Sequence, residues 1–195
     1  KKLKNYNKKN IIIFGLGNSG RSVLKYYYKK KIYVIAWDDN LFTRNKIKKE
    51  FPKIQINNLK NINWKNINIV IVAPGISLKH PLLSNSYKYN VRILRDLEIF
   101  TENVDENKVI AVTGTNGKST TVSLIGEMIN LKEKNIFVGG NIDPPLIDSL
   151  KTRSYDKYIV ELSSFQLESA PSFKSHISVL LNISEDHLER YSDVN

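Results

Sequence analysis

Residues 109–121 read VIAVTGTNGKSTT, and this run decides the architecture. Val109, Ile110, Ala111 and Val112 make a short apolar strand. Residues 114–117 form a glycine-bearing turn. Lys118, Ser119 and Thr120 then open a helix whose apolar positions Val122, Ile125, Met128 and Ile129 fall at helical spacing. Strand, glycine turn, Lys-Ser and helix is the order of a phosphate cradle. Backbone N–H groups of the turn and the helix N-terminus face an anion, the lysine reaches the outer phosphates, and the hydroxyl suits Mg²⁺. The general pattern asks for a glycine at position 112, where this chain has Val112, so the loop is a variant whose first glycine is Gly114.

Working outward, a second glycine loop stands near the start. Residues 10–14 (NIIIF) form a buried strand, residues 15–20 read GLGNSG, and a helix with apolar Val23, Leu24 and Tyr27 follows. Residues 32–37 form the next strand and end in Asp38 and Asp39, about twenty residues beyond the glycines. That is a dinucleotide-fold fingerprint, with an acid set to meet a ribose hydroxyl. The alternative is that these glycines serve tight helix–strand packing alone. Residues 42–51 predict a charged helix and residues 57–66 a loop or edge. Residues 68–73 (NIVIVA) form another strand that ends at Pro74-Gly75, where open parallel sheets place ligands. Residues 80–83 (HPLL) begin a helix with His80 as a capping or surface residue rather than a catalyst, residues 91–94 form a strand, and the first unit gives way between residues 94 and 107. We therefore expect a Rossmann-like domain over residues 1–97 and a phosphate-loop α/β domain over residues 98–195, both with parallel sheets.

In the second domain, residues 136–139 form a strand leading into Gly139-Gly140-Asn141. Pro144-Pro145 precede a short helix. Residues 158–162 form a strand carrying Glu161, and residues 176–182 another that ends before Ser184-Glu185-Asp186-His187. Functional residues of such sheets gather at strand C-terminal ends. A carboxylate beside a phosphate loop is where Mg²⁺ is held, so Glu161 is the candidate metal ligand. A structural acid is its alternative reading, and a satisfied surface or core residue is that of His187.

Composition narrows the class. The 195 residues contain no cysteine, which excludes a disulfide framework or thiolate metal site. No run approaches the roughly 18 apolar residues of a membrane span, and the basic start has no signal-peptide pattern. The net charge of +11 is uneven: residues 1–100 hold 21 Lys and Arg against 5 Asp and Glu, and the remainder 9 against 14. A nucleic-acid-binding module is one reading of the basic half. The lysines are scattered among Asn and Ile rather than focused on one element, which suits solvated faces better.

Four ordered motifs carry a family resemblance. Residues 113–120 (TGTNGKST), 139–142 (GGNI), 161–168 (ELSSFQLE), and Asn182 with Glu185-Asp186-His187 and Arg190-Tyr191 resemble the Mur ligases, ATP-dependent amide-forming enzymes of peptidoglycan precursor synthesis. Residues 15–20 and 73–76 with His80-Pro81 are similar to their UDP-binding domain. Within the family, the ELSSFQLE run resembles the branch that adds D-glutamate to UDP-N-acetylmuramoyl-L-alanine.

The resemblance implies an acyl-phosphate route, with ATP and Mg²⁺ as cofactors, in a monomer of the bacterial cytoplasm that inserts in no membrane and binds no nucleic acid. It also implies roles. Gly114, Thr115, Asn116, Gly117, Lys118, Ser119 and Thr120 would bind ATP. Lys118, Glu161 and His187 would be catalytic, and Ser119, Glu161 and His187 would hold metal. Asn18, Ser19, Asp38, Gly75, Asn141, Ser164 and Gln166 would bind the UDP substrate.

Two departures stand out. Asp143 replaces the family's usual glycine after Gly-Asn-Ile. The family's metal-bridging lysine and third domain lie beyond Asn195, so residues 1–195 alone are expected to form no amide bond. A folate-polyglutamylating ligase and a nicotinamide-dependent oxidoreductase are the competing enzyme readings. The first would not be expected to carry the GLGNSG start, and the second leaves the phosphate loop unexplained.

Overall fold

Five parallel strands in the order β3-β2-β1-β4-β5 form the first sheet. The computed structural model describes residues 10–184 except 134, 152, 153 and 169. The strands are β1 (Ile11–Phe14), β2 (Val34–Trp37), β3 (Gln55–Ile56), β4 (Ile69–Val72) and β5 (Arg92–Leu94). The helices are α1 (Asn18–Lys29), α2 (Leu41–Glu50), α3 (Ser84–Lys88) and α4 (Asp96–Asn103). Every residue of β1 and β4 is buried, as unbroken apolar runs covered on both faces require. Ile12, Phe14, Val70 and Val72 pack on Leu59, Trp64, Ile67 and Leu83. Helix α1 packs against β1 and β2, burying Val23, Leu24 and Tyr27.

Strand order reverses between β1 and β4, the switch point at which such sheets open a crevice beyond their C-terminal ends. The glycine loop leaves β1 there and the Pro74-Gly75 turn leaves β4. The expected helix over 42–51 is α2, capped by Asn40, whose side chain accepts from Phe42 N and Thr43 N.

The second unit has a four-stranded parallel sheet in the order β7-β8-β6-β9. Its strands are β6 (Val109–Thr113), β7 (Ile136–Gly140), β8 (Lys157–Glu161) and β9 (Ile177–Leu180). Its helices are α5 (Lys118–Asn130) and α6 (Ser164–Glu168). Val122, Ile125 and Ile129 of α5 pack on Ile110, Ile159 and Val138. Met128 does not join them, being 69% exposed. At about 100° per residue it points roughly a quarter-turn away from the Val122–Ile125–Ile129 stripe. The two units divide between Asn103 and Val104 rather than after residue 97. Helix α4 accounts for this: it packs on α1 and buries Leu97, Ile99 and Phe100 in the first unit. No described helix is long and apolar enough to cross a membrane.

Candidate functional site

Each unit carries a polar cluster at the C-terminal ends of its strands. In the first, α1 starts directly from the glycine loop, with Asn18 exposed, Ser19 half-buried and no side chain capping the helix. Its first N–H groups are thus open to an acceptor from outside the chain. The glycines divide into two kinds. A Cβ on Gly20 would stand 1.7 Å from the Gly15 carbonyl oxygen, and one on Gly15 would stand 2.7 Å from Ala73 Cβ. Those two are demanded by the fold. A Cβ on Gly17 or Gly75 would meet nothing within 4 Å, and neither residue has the left-handed φ that favours glycine. No packing or left-handed φ demands their bareness, which suits a ligand backed closely against the chain.

Asp38 follows β2 and turns its carboxylate inward. One oxygen accepts from Leu16 N at 2.7 Å, inside the glycine loop, and the other from Asn40 N at 2.9 Å. The expected ribose acid is therefore also the tie between β2 and the loop. Asp39 accepts from Trp37 Nε1 at 2.9 Å and faces His80 Nε2 at 3.0 Å. His80 Nδ1 accepts from Leu82 N at 3.2 Å, and its ring stands edge-on to Phe14 with centroids 5.0 Å apart. His80 is thus a cap, as expected, and also a bridge from the β4 exit to the β2 exit. Arg44 lies 4.3 Å over the Trp37 ring and donates to the Asp39 carbonyl at 3.0 Å.

Arg95, which nothing in the sequence pattern singled out, lies wholly buried beneath the Pro74-Gly75 turn and donates to its carbonyls. The only signal for it was an arginine standing between an apolar strand and an apolar helix. Glu98 accepts from Arg95 N at 2.9 Å at the start of α4. Burial pushes the Glu98 carboxyl above its ordinary range, against the lowering pull of that hydrogen bond.

In the second unit three strand ends meet the phosphate loop. Glu161 lies beside Val112 in the β6–β8 register and beside Gly140 in the β7–β8 register. It is 2% exposed. Its carboxylate accepts from Ser119 Oγ at 2.7 Å and from Asn141 Nδ2 at 3.0 Å. The structure thus brings Ser119, Glu161 and Asn141 into one cluster. Lys118 Nζ folds over the loop, donating to the carbonyls of Gly114 and Thr115 at 2.7 Å each. Gly117 caps α5 with a left-handed φ of 82°, which lets the loop turn into the helix. Thr120 is exposed on the first turn of α5.

Asn182 secures the loop from the β9 side. Its amide accepts from Asn116 N at 2.8 Å and donates to Asn116 O at 3.0 Å. Its carbonyl accepts from Thr115 N at 3.0 Å. Ser164 is exposed at the start of α6, whereas Gln166 is buried and accepts from Ser163 N at 3.0 Å. His187 lies outside the described residues, as do Glu185, Asp186, Arg190 and Tyr191. Among the described residues no group of three or more His, Asp or Glu side chains is placed to hold a metal ion.

Comparison with known proteins agrees across nearly the whole chain. Residues 9–95 match the Mur ligase MurD-like N-terminal domain and residues 112–195 the Mur ligase middle domain. The UDP-N-acetylmuramoylalanine–D-glutamate ligase of Rickettsia prowazekii is 39% identical over 190 residues, covering 97% of this chain and 42% of the relative. The ligase of the same name from Wolbachia pipientis is 37% identical, covering 98% of this chain and 38% of the relative. The chain therefore spans about two fifths of the length of these curated relatives.

Among solved structures, the UDP-N-acetylmuramate:L-alanyl-gamma-D-glutamyl-meso-diaminopimelate ligase from Neisseria meningitides aligns with a TM-score of 0.60. The identity is 15%, covering 95% of this chain and 64% of that one. The UDP-N-acetylmuramate-alanine ligase from Thermotoga maritima aligns with a TM-score of 0.53 at 23% identity, covering 94% of this chain and 44% of that one. At these identities the two alignments speak for a shared fold alone.

Proposed function

This chain belongs to the Mur ligase family, and we propose that it carries the substrate-binding and ATP-binding parts of a ligase joining D-glutamate to UDP-N-acetylmuramoyl-L-alanine. The observation that carries the reading is the Ser119–Glu161 pair at the head of the phosphate loop, 2.7 Å apart, with Lys118 beside it. A hydroxyl and a carboxylate are the hard oxygen donors Mg²⁺ takes. The Glu161 carboxylate retains lone pairs beyond the two hydrogen bonds described. These residues fit the ion, and Ser119 and Glu161 would hold it, with His187 serving a second metal position. When bound, Mg²⁺ supplies positive charge that offsets the negative charge of the phosphates.

The chemistry follows from the substrates. The alanyl carboxylate is a poor electrophile, so it first attacks the γ-phosphorus of ATP, and ADP departs. The resulting acyl phosphate has a good leaving group. The amine of D-glutamate attacks its carbonyl carbon, the carbon–oxygen bond to phosphate breaks, and the amine gives up a proton. The first attack sets one anion against another. Lys118 offsets that repulsion once its ammonium exchanges the Gly114 and Thr115 carbonyls for the β- and γ-phosphates. The backbone from Gly114 to Thr120 cradles the nucleotide. The UDP part rests in the crevice of the first unit, against Asn18, Ser19, Asp38 and the bare faces of Gly17 and Gly75. Asn141 also approaches the uridine-sugar substrate, and Ser164 and Gln166 lie near its sugar–peptide part. The reaction belongs to the bacterial cytoplasm, in a monomer that binds no nucleic acid.

Calorimetric titration of the 195-residue protein with UDP-N-acetylmuramoyl-L-alanine, with NAD⁺ in parallel, tests the reading. Saturable binding of the UDP compound and none of NAD⁺ is expected. Binding of NAD⁺ in its place would overturn the assignment of the crevice.

A further inference from the structure

We propose that Arg95 is a positioning residue for the ligand crevice of the first unit, setting the Pro74-Gly75 turn and, through it, the seat of the glycine loop. This rests on the reading of that crevice as the site of a UDP-linked substrate. Arg95 has 0% exposure and is among the largest fully buried side chains. A guanidinium stays charged at every pH a protein survives, so its burial is costly unless acceptors match its planar fork. Here they do. Nη1 donates to Ala73 O at 2.9 Å and Pro74 O at 2.7 Å, and Nη2 donates to Ile76 O at 3.0 Å. Three carbonyls of a four-residue turn thus converge on one rigid group, which orients three peptide planes at once.

The same turn residues seat the glycine loop. Ala73 Cβ and Ile76 Cγ1 occupy the space a Cβ on Gly15 would need, at 2.7 and 3.0 Å. Gly15 in turn lies against Gly20 at the start of α1. The line of contact runs from Arg95 to the turn, to Gly15, to the first turn of α1. It ends at Gly17 and Gly75, the two glycines with nothing against their open faces. Arg95 therefore sets how far apart those faces stand, without touching the ligand. A cushion of apolar side chains under the turn would fill the volume but would leave the three carbonyls free to rotate.

The test compares Arg95→Lys and Arg95→Met with the unsubstituted chain. Dissociation constants for UDP-N-acetylmuramoyl-L-alanine are measured by calorimetry at a temperature where circular dichroism shows every variant folded. Ile47→Ala, a buried change on α2, controls for loss of stability alone. Lysine keeps the charge but not the fork. Both Arg95 variants are expected to bind about tenfold or more weakly, since small misplacements of a binding surface cost on that order, while Ile47→Ala melts lower and binds as before. Unchanged affinity in folded Arg95→Lys would overturn the inference alone, and that variant decides if Arg95→Met does not fold. Absence of binding by the unsubstituted chain would overturn both the inference and the reading of the crevice.

Discussion

Gly20→Ala should destabilise the first unit, although helix propensity argues the reverse. Gly20 lies in the third position of α1, and an interior glycine-to-alanine change normally stabilises a helix by about 1 kcal/mol. The added Cβ, however, would stand 1.7 Å from the Gly15 carbonyl oxygen and 2.8 Å from its carbon. Non-bonded heavy atoms rest at about 3.5 Å, so the first turn of α1 must withdraw by well over an ångström. Overpacking against yielding side chains costs about 1–3 kcal/mol. Here the obstacle is backbone, which puts the cost at about 3 kcal/mol and the net loss, after the propensity gain, at about 2 kcal/mol. For a unit of about 100 residues that lowers the melting temperature by roughly 8–16 °C.

Urea and thermal unfolding followed by circular dichroism would measure it, with Gly126→Ala as the comparison. Gly126 is also a buried glycine within a helix, α5, but its Cβ would meet a Val138 methyl at 2.8 Å. One side-chain methyl, rather than backbone, must shift here by about 0.7 Å, and the propensity gain offsets most of that cost, so this change should stay within about 1 kcal/mol of the parent. If Gly20→Ala proved as stable as the parent, the close approach of α1 to the glycine loop would be wrong, and with it the seat of the crevice.

Asp38→Asn should cost about 1–3 kcal/mol in urea unfolding, because an amide offers one acceptor where Leu16 N and Asn40 N need two. Asn182→Ala removes both side-chain bonds to Asn116 and should weaken Mg·ATP binding to the phosphate loop several-fold in a fluorescence titration, leaving UDP-substrate affinity unchanged. Glu98, pushed up by burial, destabilises the folded state when ionised. Its contribution worsens as pH rises from the unfolded value, about 4.3, through the raised folded value, and is level above that. Glu98→Gln keeps an oxygen for Arg95 N, and urea titrations at pH 4 and 7 should show it more stable than the parent at pH 7 and not at pH 4.

Local pattern made the strand–glycine–helix units readable, because each is set by contiguous residues. An apolar run becomes a buried strand, and glycines allow the turn that follows it, as at Phe14–Gly15 and Thr113–Gly114. The convergence of strand ends followed from the alternation of strands and helices. What local pattern could not show was how side chains are spent once distant segments meet. Asp38 ties a loop 22 residues earlier in the chain. Met128 looked like a core position because its neighbours Ile125 and Ile129 are, but the stripe is narrow and leaves it in solvent. Arg95 was silent for the same reason, since its acceptors lie 19 to 22 residues away.

The glycine fingerprint shows where the two levels part. As a motif, residues 15–20 combine three demands: a tight turn, a close approach of backbone to a nucleotide, and helix–sheet packing. In the folded chain Gly15 and Gly20 are consumed by packing, and Gly17 alone of the three has an open face. The suspicion that such glycines serve helix–strand packing is therefore right for two of them, and the ligand reading has room at the third. Gly75, outside any motif of that kind, shares the property that singles out Gly17. A glycine with neither a positive φ nor a neighbour against its missing Cβ marks a place where the protein's own packing sets no demand. In this unit the two such residues follow β1 and β4, the strands that flank the switch point. Topology and bare backbone thus select the same crevice by independent routes, one set by strand order and the other by the absence of a side chain.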